Sequence, residues 1–283
     1  MGRRNQYILN SGARSAAQPS QGGDILEKES KVLLVGETWM SAATHYKGFD
    51  DFRSTTFHSG AGPLLAALAD SEFDVTHMPA HEAIEGLPFS VEALSGYDVI
   101  LLSDIGANSL LLHPDVWLHG KTVPNRLKML RDWAAAGGGL GMIGGYLTFQ
   151  GIDGKGRWRR TPVEEALPVK CLPYDDRIEA PEGFRAEVLL PGHPIVAGLD
   201  GEWPALLGAN EVVAKDQDGV EVVARLPVDF GGHPLIVTGT HGSGRTLAWT
   251  SDVGPHWLPQ TFVDWPGYAV LWRNMLRWLA KRV

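Results

Sequence analysis

The sequence predicts an α/β protein built on a parallel sheet that is covered by helices on both faces. Short apolar runs alternate with stretches of helical periodicity through the first half of the chain. Several runs are continuously apolar, as in residues 32–35, which is typical of strands buried on both faces. Glycines or polar residues follow these runs directly. Strands separated by helices in this way form three layers, with the sheet in the middle.

The first half of the chain supplies four strands and two helices. The first strand covers 32–35, and a helix over 63–69 follows a glycine-containing turn. Further strands are predicted at 73–78 and 97–104. The second helix, over 125–136, has apolar residues at helical spacing and stops at three glycines, after which the fourth strand covers 140–143.

The second half is predicted to be a β-rich addition to this sheet. After Gly151 the sequence changes to loops and longer β-like segments, with strands at 220–226, 234–239 and 245–252. An amphipathic helix over 265–281 closes the chain. Residues 31–283 contain no linker-like stretch and no internal repeat, so we expect one domain with a decorated second half.

Residues 1–30 differ from the rest of the chain. They are rich in Ser, Gln and Gly and show no hydrophobic period, which predicts a flexible tail, with an arm that docks on a neighbouring subunit as the alternative. Arg3-Arg4 resembles a twin-arginine signal, but no apolar segment follows it. We therefore expect no export signal.

Composition restricts the function classes. The net charge is -8, from 33 acidic and 25 basic residues, which argues against a nucleic-acid partner because such binding needs a basic face. No apolar run approaches the roughly 18 residues that span a bilayer, so no membrane partner is expected. The single cysteine fits the reducing cytoplasm and excludes zinc sites that need several thiolates.

Three carboxylates are candidates for the chemistry. Ligands of open parallel sheets bind beyond the carboxyl ends of the strands, and Glu37, Asp104 and Asp252 follow predicted strands there. Close carboxylates raise each other's pKa, so one of them could act as an acid or base near neutral pH. Glu37, Asp104 and His256 are the predicted catalytic residues, and the alternative is that each carboxylate caps a helix or pairs with a basic residue.

A second set of residues is predicted to bind the substrate. The amides of Gly144 and Gly145 would form a pocket for an oxyanion or a carbonyl group. Aromatic rings at Tyr146, Trp158, Trp257 and Trp265 would stack on a sugar ring, or else pack in the core. The complete predicted set is His45, Lys47, Ser103, Asn108, Gly144, Gly145, Tyr146, Asp252 and Trp257.

The segment from Gly137 to Phe149 contains the parts of a nucleophile elbow, namely a glycine-rich turn, a buried strand and a tight glycine turn. Together with Ser103-Asp104 at the end of an earlier strand, it resembles the class I glutamine amidotransferase-like superfamily. Residues 103–108, 139–145 and 161–169 resemble its branch of uncharacterised cytoplasmic proteins. The resemblance covers about 31–283 and implies a flavodoxin-like fold.

At the elbow, this sequence differs from the active members of the superfamily. Active members of the superfamily have Gly-x-Cys-x-Gly at the elbow, where this chain has Ile143 at the cysteine position. Its only cysteine, Cys171, lies outside the elbow, and the late segment 249–252 has neither the His nor the Glu of the family. Thioester chemistry needs an oriented thiolate, so we predict no ordinary glutaminase activity. Glu37 matches an acidic residue that some members place beside the elbow.

Two functions follow as alternatives. One is a hydrolase or lyase that acts on a small polar metabolite, such as a sugar derivative or an amide. The other is a catalytically silent module that binds a small molecule or regulates a partner. The chain has no Walker motif and no zinc-type histidine spacing, so we expect no cofactor, with a bound metal as the alternative. The tryptophan-rich last third is compatible with a homo-oligomer and equally with a monomer.

One further cluster, residues 175–179, is densely charged. A surface ion-pair network is the usual meaning of such a cluster. A contact with substrate or with another subunit is the alternative.

Overall fold

A computed structural model of the protein describes residues 30–283, so the predicted tail lies outside the described residues except for Ser30. The strands are β1 (Ser30–Gly36), β2 (Thr38–Lys47), β3 (Asp50–Ser59), β4 (Phe73–Met78), β5 (Val99–Ser103), β6 (Gly139–Ile143), β7 (Val169–Cys171), β8 (Arg177–Phe184), β9 (Glu187–Val188), β10 (Leu206–Asn210), β11 (Val212–Ala214), β12 (Glu221–Arg225), β13 (Pro234–His241) and β14 (Gly244–Trp249). The helices are α1 (Gly62–Leu68), α2 (Ala80–Gly86), α3 (Ala107–Leu111), α4 (Pro114–Trp117), α5 (Arg126–Ala135), α6 (Pro162–Ala166), α7 (Gln260–Val263) and α8 (Gly267–Leu279).

An eight-stranded sheet forms the centre of the fold, in the order β4-β1-β5-β6-β14-β13-β12-β9. The strands from β4 to β14 in this order are parallel, and β13, β12 and β9 continue the sheet antiparallel. Three two-stranded sheets, β10-β8, β11-β7 and β2-β3, are added to it in the described part. The predicted α/β class with β-rich additions is confirmed.

The apolar core lies on both faces of this sheet. Alternate residues of β1 point to opposite sides, so Val32 and Leu34 belong to one buried cluster and Leu33 and Val35 to the other. Helices α1 and α8 pack on the first side, and α2, α3 and α5 on the second. Burial on both faces explains why β1, β5 and β6 appear in the sequence as continuous apolar runs.

The register of the parallel strands aligns their carboxyl ends. Gly36 of β1 lies opposite Ser103 of β5, Ser103 lies opposite Ile143 of β6, and Ile143 lies opposite Trp249 of β14. These four residues form one row across the sheet. The residue that follows each of these strands therefore lies at the same edge of the sheet, and this places Glu37 beside Asp104.

Three sequence predictions need correction here. The strand predicted at 97–104 ends at Ser103, and the one predicted at 245–252 ends at Trp249, because the residues that follow turn out of the sheet. The segment after Glu37, where no strand was predicted, forms the long hairpin β2-β3. Its strands are exposed on both faces, so they lack the alternating pattern that identifies a half-buried strand.

Within residues 30–283, none of the helices has the length and apolar character that are needed to cross a bilayer.

Candidate functional site

A cavity of about 370 Å³ lies beyond the carboxyl ends of the parallel strands. Its walls are formed by Glu37, Trp39, Gly60, Asp104, Tyr146, Leu147, Ile152, Asp252, Gly254, Pro255 and His256. The structure thus brings together the three predicted carboxylates and His256. We call this cavity the strand-end pocket, and its volume suits a small molecule.

Glu37 is held at the pocket floor by both its backbone and its side chain. Its N–H donates to Ser103 O at 2.9 Å, and its own carbonyl accepts from Gly60 N at 2.9 Å. The Ser103 hydroxyl donates to the Glu37 carboxylate. With φ at 58°, Glu37 occupies the left-handed region, which is uncommon outside glycine and is often found at functional sites.

Burial raises the pKa of Glu37 well above its ordinary value of 4.5. The negative charges of Asp252 and then Asp104 raise it further, and the hydrogen bond from Ser103 opposes them. Glu37 therefore keeps its proton to a higher pH than an exposed glutamate. A protonated carboxyl group in a pocket can donate a proton to a bound ligand.

Asp104 also has a left-handed backbone, with φ at 39°. Its Oδ1 accepts the N–H of Leu147 at 2.8 Å, which ties the strand end to the loop after β6. Burial, and then the charge of Asp252, raise the pKa of Asp104 to about 6. Its carboxyl group therefore changes protonation close to neutral pH.

Asp252 orients His256 at the side of the pocket. The Asp252 Oδ2 lies 3.3 Å from Nδ1 of His256, and Oδ1 accepts the N–H of Val253 at 2.8 Å. The imidazole packs against the edge of Tyr146 and stacks on Trp257, with ring centroids 4.4 and 5.0 Å apart. When Nδ1 carries the hydrogen, it donates to Asp252 and leaves Nε2 as an acceptor.

A buried polar network holds the loop that carries Tyr146 and Leu147. Asn210 exchanges two hydrogen bonds with Gly145 and donates a third to Asp176 Oδ1 at 2.8 Å. The carboxylate of Asp176 also accepts the N–H groups of Gln150 and Gly151, each at 2.8 Å. The loop is therefore fastened at both ends, which fixes the pocket wall.

The charge cluster at 175–179 contributes to the same wall. Arg177 pairs with Asp175 at 2.8 Å, as expected for an ion-pair network. Its guanidinium also lies over the ring of Tyr146, 4.9 Å from the centroid. Arg177 thus orients an aromatic ring of the pocket.

The predicted role of the Gly144 and Gly145 amides is not supported by their geometry. Gly144 N donates to Trp249 O at 2.8 Å, because it continues the sheet ladder to β14. Gly145 N donates to Asn210 Oδ1 at 2.9 Å. Both groups are already used inside the protein, so neither is free to bind an oxyanion.

Several other predicted residues do not line the strand-end pocket. His45 and Lys47 are near the tip of the β2-β3 hairpin, seven and nine residues beyond its base. Asn108 lies in α3 and lines a different cavity, next to His81 and Ile84. Ser103 is completely buried and positions Glu37 instead of meeting a ligand.

The predicted tryptophans have structural roles in the described part of the chain. Trp257 is buried beneath His256, and its ring N–H donates to Glu179 at 2.9 Å. Trp158 is buried and donates to Ile105 O at 2.9 Å, and Trp265 packs against the core. The sequence reasoning did not select Trp39, which lines the pocket and is 45% exposed. Its position two residues after Glu37 was the available signal.

Ile143, which stands at the position of the elbow cysteine, and Cys171 are both buried. Ile143 ends β6 and is buried in the apolar core. Cys171 lies in β7, away from the strand-end pocket, and is 4% exposed. Burial, followed by the charge of Glu164, raises the pKa of the thiol well above its ordinary value of 9.0.

Among residues 30–283, no group of three or more His, Cys, Asp or Glu side chains is arranged so that it could hold a metal ion.

Comparisons with known proteins place these features in context. A family model described as "Putative glutamine amidotransferase" matches residues 31–281. A search of curated proteins gave no match.

Solved structures include similar chains. The cytoplasmic protein STM3548 from Salmonella typhimurium is 41% identical, with a TM-score of 0.82 over 88% of this chain and 98% of that chain. The cytoplasmic protein STM1381 from Salmonella typhimurium LT2 is 40% identical, with a TM-score of 0.83 over 88% and 99%. A ThuA-like protein from Parabacteroides merdae is 14% identical, with a TM-score of 0.55 over 89% and 90%, and shares the fold alone.

Proposed function

The chain belongs to the putative glutamine amidotransferase family, and we propose that its strand-end pocket performs acid–base chemistry on a small polar metabolite. The reaction class is hydrolysis or elimination, and the substrate is a sugar derivative or an amide. One observation carries the proposal: two carboxyl groups with raised pKa values share a pocket with an Asp–His pair.

His256 acts as the general base in this proposal. Asp252 holds its Nδ1, so Nε2 takes a proton from water in a hydrolysis, or from carbon in an elimination. Glu37 keeps its own proton and delivers it to the leaving group. His256 thus removes one proton from the reactants, and Glu37 donates one to the leaving group.

Asp104 binds the substrate and sets the charge of the pocket. A carboxylate accepts hydrogen bonds from hydroxyl or amide groups. When Asp104 is ionised, its charge also raises the pKa of Glu37 and keeps the proton on that residue. Asp104 therefore links the proton-donating capacity of the site to pH.

The apolar walls favour a ring-shaped ligand. Trp39, Tyr146, Ile152 and Pro255 surround the carboxylates. A sugar ring has apolar C–H faces and a polar rim, so it can stack on an aromatic ring while its hydroxyls reach the carboxylates.

A catalytically silent binding module is the second candidate. It is favoured by the internal hydrogen bonds of Asp104 with Leu147 and of Glu37 with Ser103, which give both carboxylates a structural use. Binding without turnover distinguishes this candidate from the enzyme.

A ligand screen tests the proposal. Thermal unfolding is followed with neutral sugars, sugar lactones, sugar acids and carboxamides, and any compound that raises the Tm is incubated with the protein and monitored by NMR. We expect one class to raise the Tm and to be converted, and Glu37→Gln to abolish conversion. The exposed residues Glu182 and Asp229 provide matched controls, Glu182→Gln and Asp229→Asn, which should behave like the wild type. Unchanged binding and conversion in both Glu37→Gln and Asp104→Asn would show that the site is wrongly assigned.

We also propose a cytoplasmic location. Its support is that two proteins about 40% identical to this chain are described as cytoplasmic.

A further inference from the structure

The β2-β3 hairpin projects from the body of the protein beside the strand-end pocket. Its ten residue pairs run from Thr38–Ser59 at the base to Lys47–Asp50 at the tip. At about 3.4 Å per residue, the hairpin is about 34 Å long. Every residue of both strands is exposed except Thr38 and His58.

Such a hairpin is not expected to be stable alone, because an isolated pair of strands is marginal in water. This one also exposes six large apolar side chains, each by at least 45%, namely Trp39, Met40, Tyr46, Phe49, Phe52 and Phe57. Trp39 and Phe52 lie on one face of the hairpin, Met40, Tyr46 and Phe57 lie on the other, and Phe49 is in the turn. Both faces therefore expose apolar side chains that a partner would cover.

The two faces of the hairpin have different surroundings. The face that we call the pocket-side face contains Trp39, Ser41, Ala43, His45 and Lys47, with their cross-strand partners His58, Thr56, Ser54, Phe52 and Asp50. Trp39 belongs to this face and also lines the pocket, so the face continues the pocket wall. On the opposite face, Phe57 packs edge-on against His81 of α2 at 5.3 Å.

On the pocket-side face, the order of large and small side chains is the same from base to tip as from tip to base. A stacked aromatic pair, Trp39–His58, lies at the base, with ring centroids 5.2 Å apart. Another stacked pair, His45–Phe52, lies near the tip, with centroids 4.5 Å apart. The two rows between them carry only small side chains. An aromatic–small–small–aromatic surface is complementary to itself when it is reversed, which is what a two-fold interface requires.

We propose that two copies of this chain associate about a two-fold axis by packing the pocket-side faces of their hairpins against each other in antiparallel register. The small rows then meet at the axis, and the aromatic pair at each base meets the aromatic pair near the other tip. In this register each tip meets the other copy's base, and the tip row on the pocket-side face pairs Lys47 with Asp50, so this row adds no excess of one sign of charge to the interface.

This register has a consequence for the strand-end pocket. In it, the row of Lys47 and Asp50 lies one step beyond the other copy's base, where Glu37 and Gly60 line the pocket. The partner's Lys47 is therefore placed at the pocket mouth. The association does not depend on the proposed function, so the two are tested separately.

The oligomeric state provides the first test. Ala43 lies on the pocket-side face near the axis, and its neighbour Ala42 lies on the opposite face, both exposed. Sedimentation equilibrium at micromolar concentrations should give a dimer for the wild type, a monomer for Ala43→Glu, and a dimer for Ala42→Glu. A monomeric wild type, whether the hairpin is covered by residues 1–29 or by another molecule, overturns the proposal, as does dissociation of only the Ala42→Glu variant.

Cross-linking provides the second test and does not depend on disruption. Cys171 is buried, so a thiol introduced on the hairpin is the reactive one in the native protein. Ala43→Cys should form a covalent dimer with a bismaleimide that spans the about 10 Å between packed sheets, and Ala42→Cys should not. A covalent dimer from Ala42→Cys alone, or from neither variant, contradicts the register.

Discussion

The Asn210 side-chain amide bonds to Gly145 in both directions. Its Oδ1 accepts the Gly145 N–H at 2.9 Å, and its Nδ2 donates to the Gly145 carbonyl at 3.1 Å. The same Nδ2 donates to Asp176. Strand β10, which ends at Asn210, therefore holds the loop after β6 that forms the pocket wall. The pocket therefore depends on residues that are distant in sequence from its carboxylates.

Replacing Asn210 tests this network. In Asn210→Asp, the two bonds donated by Nδ2 are lost and a carboxylate faces Asp176 in a buried place. We expect the free energy of unfolding to fall by about 2–4 kcal/mol, because a buried network loses a partner and gains a like charge. Urea denaturation measures the change. Asn108→Asp, an exposed residue of α3, should change it by less than about 0.5 kcal/mol, and equal effects of the two variants would contradict the assigned role.

Gly145 is needed for the close approach of Asp104. Its φ is +149°, and a Cβ built there would lie 2.9 Å from Asp104 Oδ1. Gly145→Ala should therefore lower stability by about 1–3 kcal/mol through backbone strain and displacement of the carboxylate. Gly62→Ala, where a Cβ meets nothing within 4 Å, is the control in a thermal unfolding experiment. An unchanged Tm for Gly145→Ala would show that the loop adjusts freely.

The raised pKa of Asp104 predicts a pH dependence of stability. Its pKa is about 6 in the folded protein and near 3.8 when exposed, so the folded state binds more protons between these values. The free energy of unfolding therefore falls as pH rises through this range, by about 1–3 kcal/mol from this group. Glu37 contributes in the same direction.

Comparison with Asp104→Asn isolates this effect, because the amide oxygen still accepts from Leu147 and does not titrate. Stability is measured by urea denaturation from pH 4 to pH 7. The variant should gain stability relative to the wild type as pH rises. Parallel curves for the two proteins would mean that Asp104 titrates normally.

The position of Cys171 predicts that the chain lacks thiol chemistry. The thiol is buried and its pKa is raised, so it should react with a disulfide reagent at least 100-fold more slowly in the native protein than in urea. We expect no ammonia release from glutamine. Ammonia that is formed by the wild type and lost in Cys171→Ala would overturn this prediction.

Much of the fold is predictable from local sequence. Residues 32–35 and 140–143 are continuous apolar runs because β1 and β6 are buried on both faces. The α5 helix was predicted within one residue at each end, because Asn125 caps its start and glycines follow its end. The β2-β3 hairpin was not predicted, because strands that are exposed on both faces do not need alternating apolar and polar residues.

The sequence by itself determined which carboxylates follow the parallel strands, since strand order in the chain and the turn residues after each strand are local properties. Only the tertiary structure decided that the Gly144 and Gly145 amides are occupied and that Trp39 lines the wall while Trp257 is buried. The physical reason is that register, burial and hydrogen-bond partners are set by contacts between residues far apart in sequence, such as Gly145 with Asn210.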